Sequence, residues 1–307
     1  MWLVPVIRTH RLTKHYGASP ALVDLDLEVH EGEVFGYLGP NGSGKTTTIR
    51  LLLGLLRPTS GSAEVLGGDA RRDAVQIHHR LAYVPGDAAL WPGLTGAETL
   101  HLLGRVHGRI DAAYRDELIE QFELDPTKRV RAYSTGNRQK LSLIAALMSR
   151  AELLVLDEPT AGLDPLMEQV FRGCVRQAQE RGQTVFLSSH VLAEVEALCQ
   201  RVGILRAGRL VEVGTLDSMR LRAALAVEAS FAGPVPDVRS VPGVTDVAVE
   251  DGTLRCSIDG PVAPLLAVLA SAGATRVVSR EPSLEELFLT HYGAGAAASD
   301  RDRPGPA

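Results

Sequence analysis

Short apolar runs alternate with longer segments of helical periodicity from the N-terminus to about Gly214. The runs LLVLD at 153–157 and TVFLSS at 184–189 are apolar and bounded by polar turns, which is typical of buried central strands. Between them, Asp164 and Pro165 predict the start of a helix. This alternation favours a mostly parallel sheet covered by helices.

The pattern changes after about Arg220. The Asp-Gly pair at 251–252 predicts a hairpin turn, and a short helix at 235–241 would make the order of elements β-α-β-β-α-β. Ser283 and Glu286 form a capping box that predicts a last helix. The other predicted elements are strands at 223–231, 244–250, 253–259 and 275–279 and a helix at 261–273.

These patterns, with 307 residues and 45% hydrophobic content, predict two domains. Residues 1–220 would form a larger α/β domain and residues 221–292 a small α+β domain. We expect a disordered tail at 293–307, which is rich in small and charged residues.

Composition narrows the choice of partner and compartment. A net charge of -5 and a pI near 6.0 argue against nucleic acid as the main partner. Cys174, Cys199 and Cys256 show no paired spacing, which favours a reducing cytosol. We expect no secretory signal in the first residues, and no apolar run approaches the roughly 18 to 20 residues that cross a bilayer. A role at a membrane would therefore need another chain to cross it.

A glycine-rich loop at 38–47, LGPNGSGKTT, lies between an apolar strand pattern and a leucine-rich helical pattern. It fits G-x-x-x-x-G-K-T, the phosphate-binding loop of nucleotide-binding proteins. Gly39, Gly42 and Gly44 are expected to adopt backbone angles closed to other residues, so that N–H groups turn toward a phosphate. A flexible glycine loop is the alternative interpretation.

The charged and hydroxyl groups of this loop are suited to binding a nucleoside triphosphate together with magnesium. Lys45 supplies a positive charge for the β- and γ-phosphates, and the Thr46 hydroxyl suits a magnesium ligand. The positive end of the following helix adds to the attraction. The residues expected to bind the nucleotide here are Gly39, Pro40, Asn41, Gly42, Ser43, Gly44, Lys45, Thr46 and Thr47.

Two carboxylates follow the apolar run at 153–157. Asp157, at the tip of the strand, is placed to hold magnesium through water, and Glu158 is a candidate base for the attacking water. By itself such a pair is equally consistent with a solvated turn. The sequence PTAGLDP, which follows at 159–165, favours the catalytic interpretation.

Four motifs, in this order and spacing, carry a family resemblance. They are GPNGSGKTT at 39–47, YSTGNRQK at 133–140, LLVLDEPTAGLDP at 153–165 and SSH at 188–190. The chain resembles the ATP-binding subunits of ABC transporters over residues 8 to about 220, and among them the bacterial drug and antibiotic exporters with a C-terminal extension. The resemblance implies an α/β P-loop NTPase fold of the ABC type with a helical subdomain, followed by a small α+β domain.

The resemblance also implies roles for residues outside the phosphate loop. Tyr16 would stack on adenine, although a packing aromatic is the alternative. Ser134 and Gly136 would close over the γ-phosphate of ATP held by an opposite subunit, and Asp164 would meet that subunit. His190 would bind the γ-phosphate and position water, so that Lys45, Glu158 and His190 are the catalytic candidates.

Two segments depart from the family pattern. YSTGN at 133–137 replaces the usual LSGGQ, a change that we expect to be tolerated. More seriously, Gly86 stands where the family carries a glutamine that contacts magnesium and reports nucleotide state to the membrane subunit. We expect Asp87 or an ordered water to take over that ligand position.

The resulting prediction is an ATPase, dependent on ATP and Mg²⁺, that drives export through separate membrane permease subunits. Two nucleotide-binding domains, identical or homologous, would pair at the cytoplasmic face of the cell membrane, with a groove near residues 86–105 receiving a helix of the permease. A soluble ABC-type ATPase acting on ribosomes or DNA is the alternative from another class. A small-molecule kinase with the same phosphate loop is a third hypothesis, but YSTGN and His190 would have no role in such an enzyme.

Overall fold

The computed structural model describes residues 5–108, 111–222 and 224–280. The chain divides into two compact units, residues 1–213 and 214–307, and each is described here by itself. The strands up to this division are β1 Pro5–Tyr16, β2 Ser19–His30, β3 Val34–Leu38, β4 Ser60–Val65, β5 Gly68–Asp69, β6 Leu81–Val84, β7 Leu153–Asp157, β8 Thr184–Ser189, β9 Arg201–Arg206 and β10 Arg209–Thr215. The helices are α1 Lys45–Leu52, α2 Ala74–His78, α3 Gly96–His107, α4 Ala112–Gln121, α5 Thr135–Leu147, α6 Pro165–Glu180 and α7 Leu192–Leu198.

The predicted parallel sheet is confirmed as a six-stranded sheet of order β10-β9-β3-β8-β7-β6. Strands β9, β3, β8, β7 and β6 run parallel to their neighbours in this list. Every residue of β3, β7 and β8 is buried, as expected for central strands covered on both faces. Leu38 pairs with Ser189 and Asp157 with Ser188, so these three strands end side by side at one edge of the sheet.

The N-terminal residues differ from the prediction, because they form a second, antiparallel sheet of order β2-β1-β4-β5. Residues of β2 alternate between buried and exposed over much of its length, which is the pattern of a sheet with one solvated face. Buried side chains of this sheet, of α1 and of the parallel sheet belong to one apolar core. Gly44 of the phosphate loop lies close to both sheets, since a Cβ atom there would be 2.6 Å from the Ala21 carbonyl oxygen of β2 and 3.4 Å from the Leu205 side chain of β9.

Side chains cap the first turns of α3 and α6. Thr95 and Glu98 form a complete capping box at the start of α3. The carboxylate of Asp164 accepts hydrogen bonds from the N–H groups of Leu166 and Met167, both at 3.0 Å, and caps α6. The predicted helix that begins at Asp164 and Pro165 is therefore confirmed.

The second unit contains α8 Leu216–Arg222, β11 Leu225–Phe231, β12 Val244–Glu250, β13 Thr253–Ile258, α9 Ala263–Ser271 and β14 Ala274–Arg280. Its sheet has the order β12-β13-β11-β14 and is antiparallel throughout. Asp251 and Gly252 have φ angles of 48° and 72°, which confirms the predicted hairpin turn. Buried side chains of the sheet and α9 form a separate core.

The helix at 235–241 that would complete a β-α-β-β-α-β order is not found, since these residues form no helix. Pro234 and Pro236 flank Val235, and a proline disfavours helical angles in the residue before it. Val238 and Val241 are instead buried in the core of this unit. The predicted capping box at Ser283 and Glu286, its helix and the tail at 293–307 lie outside the described residues.

All three cysteines are buried. Burial raises the pKa of the Cys174 thiol to about 11 and also raises the pKa values of Cys199 and Cys256. Within the described ranges, no helix is both long enough and apolar enough to cross a bilayer.

Candidate active site

The candidate site lies at the edge of the parallel sheet where β3, β7 and β8 end. The phosphate loop follows β3, Glu158 follows β7 and His190 follows β8. In open parallel sheets, ligands bind beyond the carboxyl ends of the strands. The order of the strands therefore brings together side chains that are far apart in the sequence.

Glycine is required at three positions of the phosphate loop, for two different reasons. Gly42 and Gly44 have φ angles of 81° and 111°, which favour glycine. Gly39 lacks such an angle, so its predicted backbone role is wrong. A Cβ atom there would instead lie 2.5 Å from Ser43 Oγ and 2.6 Å from the Leu205 carbonyl oxygen, so close approach requires this glycine.

Lys45 is buried at the first position of α1, and its ammonium group lies inside the loop. Its Nζ donates hydrogen bonds to the carbonyl oxygens of Gly39 at 2.6 Å and Pro40 at 3.2 Å. The same atom lies 3.2 Å from Glu158 Oε1. The loop thus presents one full positive charge at the positive end of a helix, as an anion site requires.

Thr46 and Asp157 form the oxygen-rich part of the site. Thr46 Oγ1 donates to Asp157 Oδ2 at 2.9 Å, and Ser188 Oγ donates to Asp157 Oδ1 at 2.5 Å. Mg²⁺ in nucleotide sites is bound by one or two carboxylates together with phosphate oxygens and waters. A hydroxyl and a carboxylate at this separation fit that requirement, and the buried Ser43 Oγ has no hydrogen-bond partner among the residues that the structure describes.

Glu158 connects the phosphate loop with His190. Its second carboxylate oxygen, Oε2, lies 3.1 Å from His190 Nδ1. Its φ of 48° is unusual for a residue with a side chain, and its N–H donates to the Ser188 carbonyl oxygen at 3.0 Å. A carboxylate held in this way next to a histidine can accept a proton from water.

Gly86 lies against the strand end that carries the carboxylates. A Cβ atom at this position would lie 3.2 Å from the Asp157 carbonyl oxygen. Asp87 is exposed, and its predicted role as a magnesium ligand stays a prediction. Nearby, burial and the charge of Asp157 raise the pKa of Tyr83 to about 12.

The segment YSTGN lies at the start of α5. Ser134 Oγ accepts a hydrogen bond from the Asn137 N–H at 3.2 Å and caps the helix. A Cβ atom at Gly136 would lie 2.5 Å from the Gly162 carbonyl oxygen, so the start of α5 contacts the loop after Glu158 within the same chain.

The remaining predicted residues lie outside this group of contacts. Tyr16, at the end of β1, is 50% exposed, and Lys14 Nζ lies 5.2 Å from the centre of its ring. The exposure does not support the alternative of a packed aromatic. The Asp164 carboxylate is engaged in capping α6.

Sequence reasoning missed two residues that connect these segments. Ser188 donates to Asp157, and its place two residues before His190 in the SSH motif was the available signal. Gln139, which is 2% exposed, donates from Nε2 to the Pro159 carbonyl oxygen at 2.9 Å. The available signal in the sequence was a polar residue, Gln139, on the buried face of α5.

Comparison with known proteins places these motifs in a family. The sequence profile described as ABC transporter matches residues 22–161. The daunorubicin resistance ATP-binding protein DrrA3 of Streptomyces coeruleorubidus is 38% identical over 293 residues, which cover 90% of this chain and 92% of that protein. The linearmycin resistance ATP-binding protein LnrL of Bacillus subtilis is 32% identical over 306 residues, with 94% and 98% covered. The solved structure of an ATP binding subunit of an ABC transporter has a TM-score of 0.66 at 30% identity and covers 70% of this chain and 92% of its own.

Proposed function

This chain belongs to the ABC transporter family, and from that premise we propose that it is the ATP-hydrolysing subunit of an exporter for a hydrophobic drug or antibiotic. The observation that carries the proposal is the coverage of resistance proteins over nearly their whole length. The contacts among Lys45, Thr46, Asp157, Glu158 and His190 support hydrolysis as the reaction.

The phosphate loop would bind the triphosphate of ATP. Lys45 and the N–H groups of the loop would contact the β- and γ-phosphates, and the exposed ring of Tyr16 would stack on adenine. Thr46 and Asp157 would hold Mg²⁺, which offsets phosphate charge when bound. These residues act mainly by positioning and by charge, as in other phosphoryl transfers.

Hydrolysis would depend on Glu158 and His190. Glu158 would take a proton from the attacking water, and His190 would contact the γ-phosphate and orient that water. The 3.1 Å separation of the two side chains allows them to act on one water molecule.

A second nucleotide-binding domain would complete each site. Ser134 and Gly136 would contact the γ-phosphate bound by the opposite subunit, and Asp164 would lie at the shared interface. The start of α5 is suited to this role, because a capped helix N-terminus offers hydroxyl and N–H groups to an anion.

The nucleotide-binding domains would contact separate membrane permease subunits at the cytoplasmic face of the membrane. The free energy of closing and opening the pair of nucleotide-binding domains would be passed to these subunits. The region near residues 86–105 would contact them. Within this segment Trp91 is 52% exposed and Leu102 is 38% exposed, so apolar side chains are available there for contact with a partner. The comparisons favour this exporter over a soluble ATPase acting on ribosomes or DNA.

Three measurements test this proposal. Titration calorimetry of the purified chain should show binding of Mg·ATP, and co-purification should recover a protein with several apolar membrane spans. A deletion strain should become more sensitive to at least one hydrophobic compound of an antibiotic panel. An unchanged resistance profile together with recovery of ribosomes or DNA would favour the soluble alternative.

A further inference from the structure

Glu194, in the first turn of α7, is a buried carboxylate that none of the roles above uses. It is 2% exposed. Burial raises the pKa of its carboxyl, more than contacts with Ser189 and Thr160 lower it. Glutamate is almost never fully buried without a partner, because desolvation is costly. A buried glutamate next to the active site therefore indicates a specific role for its side chain.

The first contact of Glu194 is with the residue before His190. Ser189 Oγ donates to Glu194 Oε2 at 2.6 Å, and the same Oγ accepts a hydrogen bond from the Val191 N–H at 2.9 Å. One hydroxyl therefore connects the residues on both sides of His190. Because Glu194 orients that hydroxyl, it restrains the backbone from which the His190 side chain projects.

A second contact involves the loop that carries Glu158. Thr160, two residues after Glu158, lies close enough to lower the pKa of Glu194, and Glu194 Oε1 is buried with no hydrogen-bond partner among the described residues. On α6, Glu168 raises that pKa and Arg172 lowers it. Arg172 Nε is buried and has no hydrogen-bond partner within the described part of the chain. Glu194 thus interacts with residues next to both loops that carry the proposed catalytic side chains.

We propose that Glu194 is a positioning residue for ATP hydrolysis, which holds His190 against Glu158 through the hydroxyl of Ser189. This inference rests on the proposed roles of Glu158 and His190. Catalytic geometry is sensitive to small displacements, and a shift of about 1 Å can reduce a rate about 100-fold. ATP itself would bind elsewhere, to the phosphate loop.

The test is steady-state ATP hydrolysis by the full-length chain. Glu194→Ala should lower kcat about 10- to 100-fold and change KM for ATP less than about 3-fold, because it removes no nucleotide contact. Glu194→Gln should keep kcat within about 2-fold of wild type, since its amide oxygen still accepts the Ser189 hydrogen bond. Ser189→Ala removes the same bond from the other side and should reproduce the loss in kcat.

A double-mutant cycle with His190→Ala separates positioning from general damage. If Glu194 acts through His190, adding Glu194→Ala to His190→Ala should lower kcat little further. Fully additive losses would overturn the inference, and so would wild-type kcat in both Glu194→Ala and Ser189→Ala. If Glu194→Ala fails to melt cooperatively, Ser189→Ala alone decides between these outcomes.

Glu33 provides a matched control. Its carboxylate is also largely buried, accepts from the His30 N–H at 2.7 Å and pairs with Arg201 at 2.7 Å. Among the described residues, its side-chain hydrogen bonds and ion pairs are with His30 and Arg201 and not with the loops that carry Glu158 and His190. Glu33→Ala should lower the Tm and leave kcat near the wild-type value. A wild-type chain that shows no hydrolysis would overturn the proposed function itself, whereas loss of the Glu194 effect alone would not.

Discussion

Glu158 combines an unfavourable backbone conformation with an important chemical position. Its left-handed φ of 48° costs on the order of 1–3 kcal/mol in a non-glycine residue, and such strain is often part of an active site. The strained turn directs the carboxylate between Lys45 and His190. The sequence identified Glu158 as a candidate, but it did not predict the backbone strain. The strain arises from the end of β7 and from the hydrogen bond between the Glu158 N–H and Ser188.

Glu158→Gln tests this residue directly. The amide keeps the shape of the side chain but cannot accept the proton, so turnover should fall about 10²- to 10⁴-fold while Mg·ATP still binds. The variant should accumulate as an ATP-bound dimer on a sizing column. Glu152→Gln, at an exposed glutamate paired with Arg80 just before β7, is the control and should hydrolyse normally. Normal hydrolysis by Glu158→Gln would contradict the base assignment.

Glu194 also predicts a pH dependence of stability. Its folded-state pKa is raised by burial, so its contribution to stability is present below the unfolded pKa and is lost as pH rises through the folded pKa. Glu194→Gln cannot ionise. The Tm of this variant minus that of wild type should therefore increase between about pH 4 and pH 8. The neighbouring charges of Glu168 and Arg172 act in opposite directions, and a constant difference would contradict the prediction.

At the scale of elements, the contact between α5 and the loop after β7 allows a test of whether the start of α5 takes part in dimerisation. Gly136→Ala would bring a Cβ atom to 2.5 Å from the Gly162 carbonyl oxygen, so the start of α5 must shift. We expect reduced ATP-dependent dimerisation with ATP binding by the monomer retained, measured by light scattering and calorimetry.

Gly173→Ala is the matched control, because this helical glycine of α6 has open space around it. Alanine should stabilise the chain by about 0.5–1 kcal/mol in denaturant unfolding and leave dimerisation unchanged. Equal dimerisation of both variants would show that the close approach of α5 is unimportant.

Elements with strong local signals were predictable. The strands at 153–157 and 184–189, the helix capped by Asp164 and the hairpin turn at 251–252 are all found. The antiparallel sheet of β1 and β2 was not, since pairing between distant strands depends on tertiary packing. The prolines on either side of Val235 disfavour a helix at 235–241. Only the β-α-β-β-α-β order that it would complete favoured a helix there.

The catalytic group was predictable as a set of residues but not as a set of contacts. Glycines, a lysine and paired carboxylates identify themselves by type and spacing. Gln139 and Glu194 do not, because their roles arise from burial and from partners 20 and 5 residues away in the chain.

At the scale of the whole molecule, each unit has its own apolar core. We propose that residues 1–220 form the nucleotide-binding domain and residues 221–292 an accessory domain. A chain ending at residue 220 keeps β10 whole and retains every residue of the first core. It should therefore bind Mg·ATP with a Kd within about 3-fold of the full chain, an affinity loss below roughly 0.7 kcal/mol. A hydrolysis rate that changes while this affinity does not would assign a regulatory role to the accessory domain.

The buried cysteines make the native chain useful for following motion. Thiolates, not thiols, react with maleimides, and all three side chains are shielded and have raised pKa values. The chain should therefore remain unmodified near neutral pH until it is denatured. A single cysteine introduced at the exposed Val106 would then carry a fluorophore at one defined point, so that domain closure during turnover can be recorded without removing any native residue of the interior.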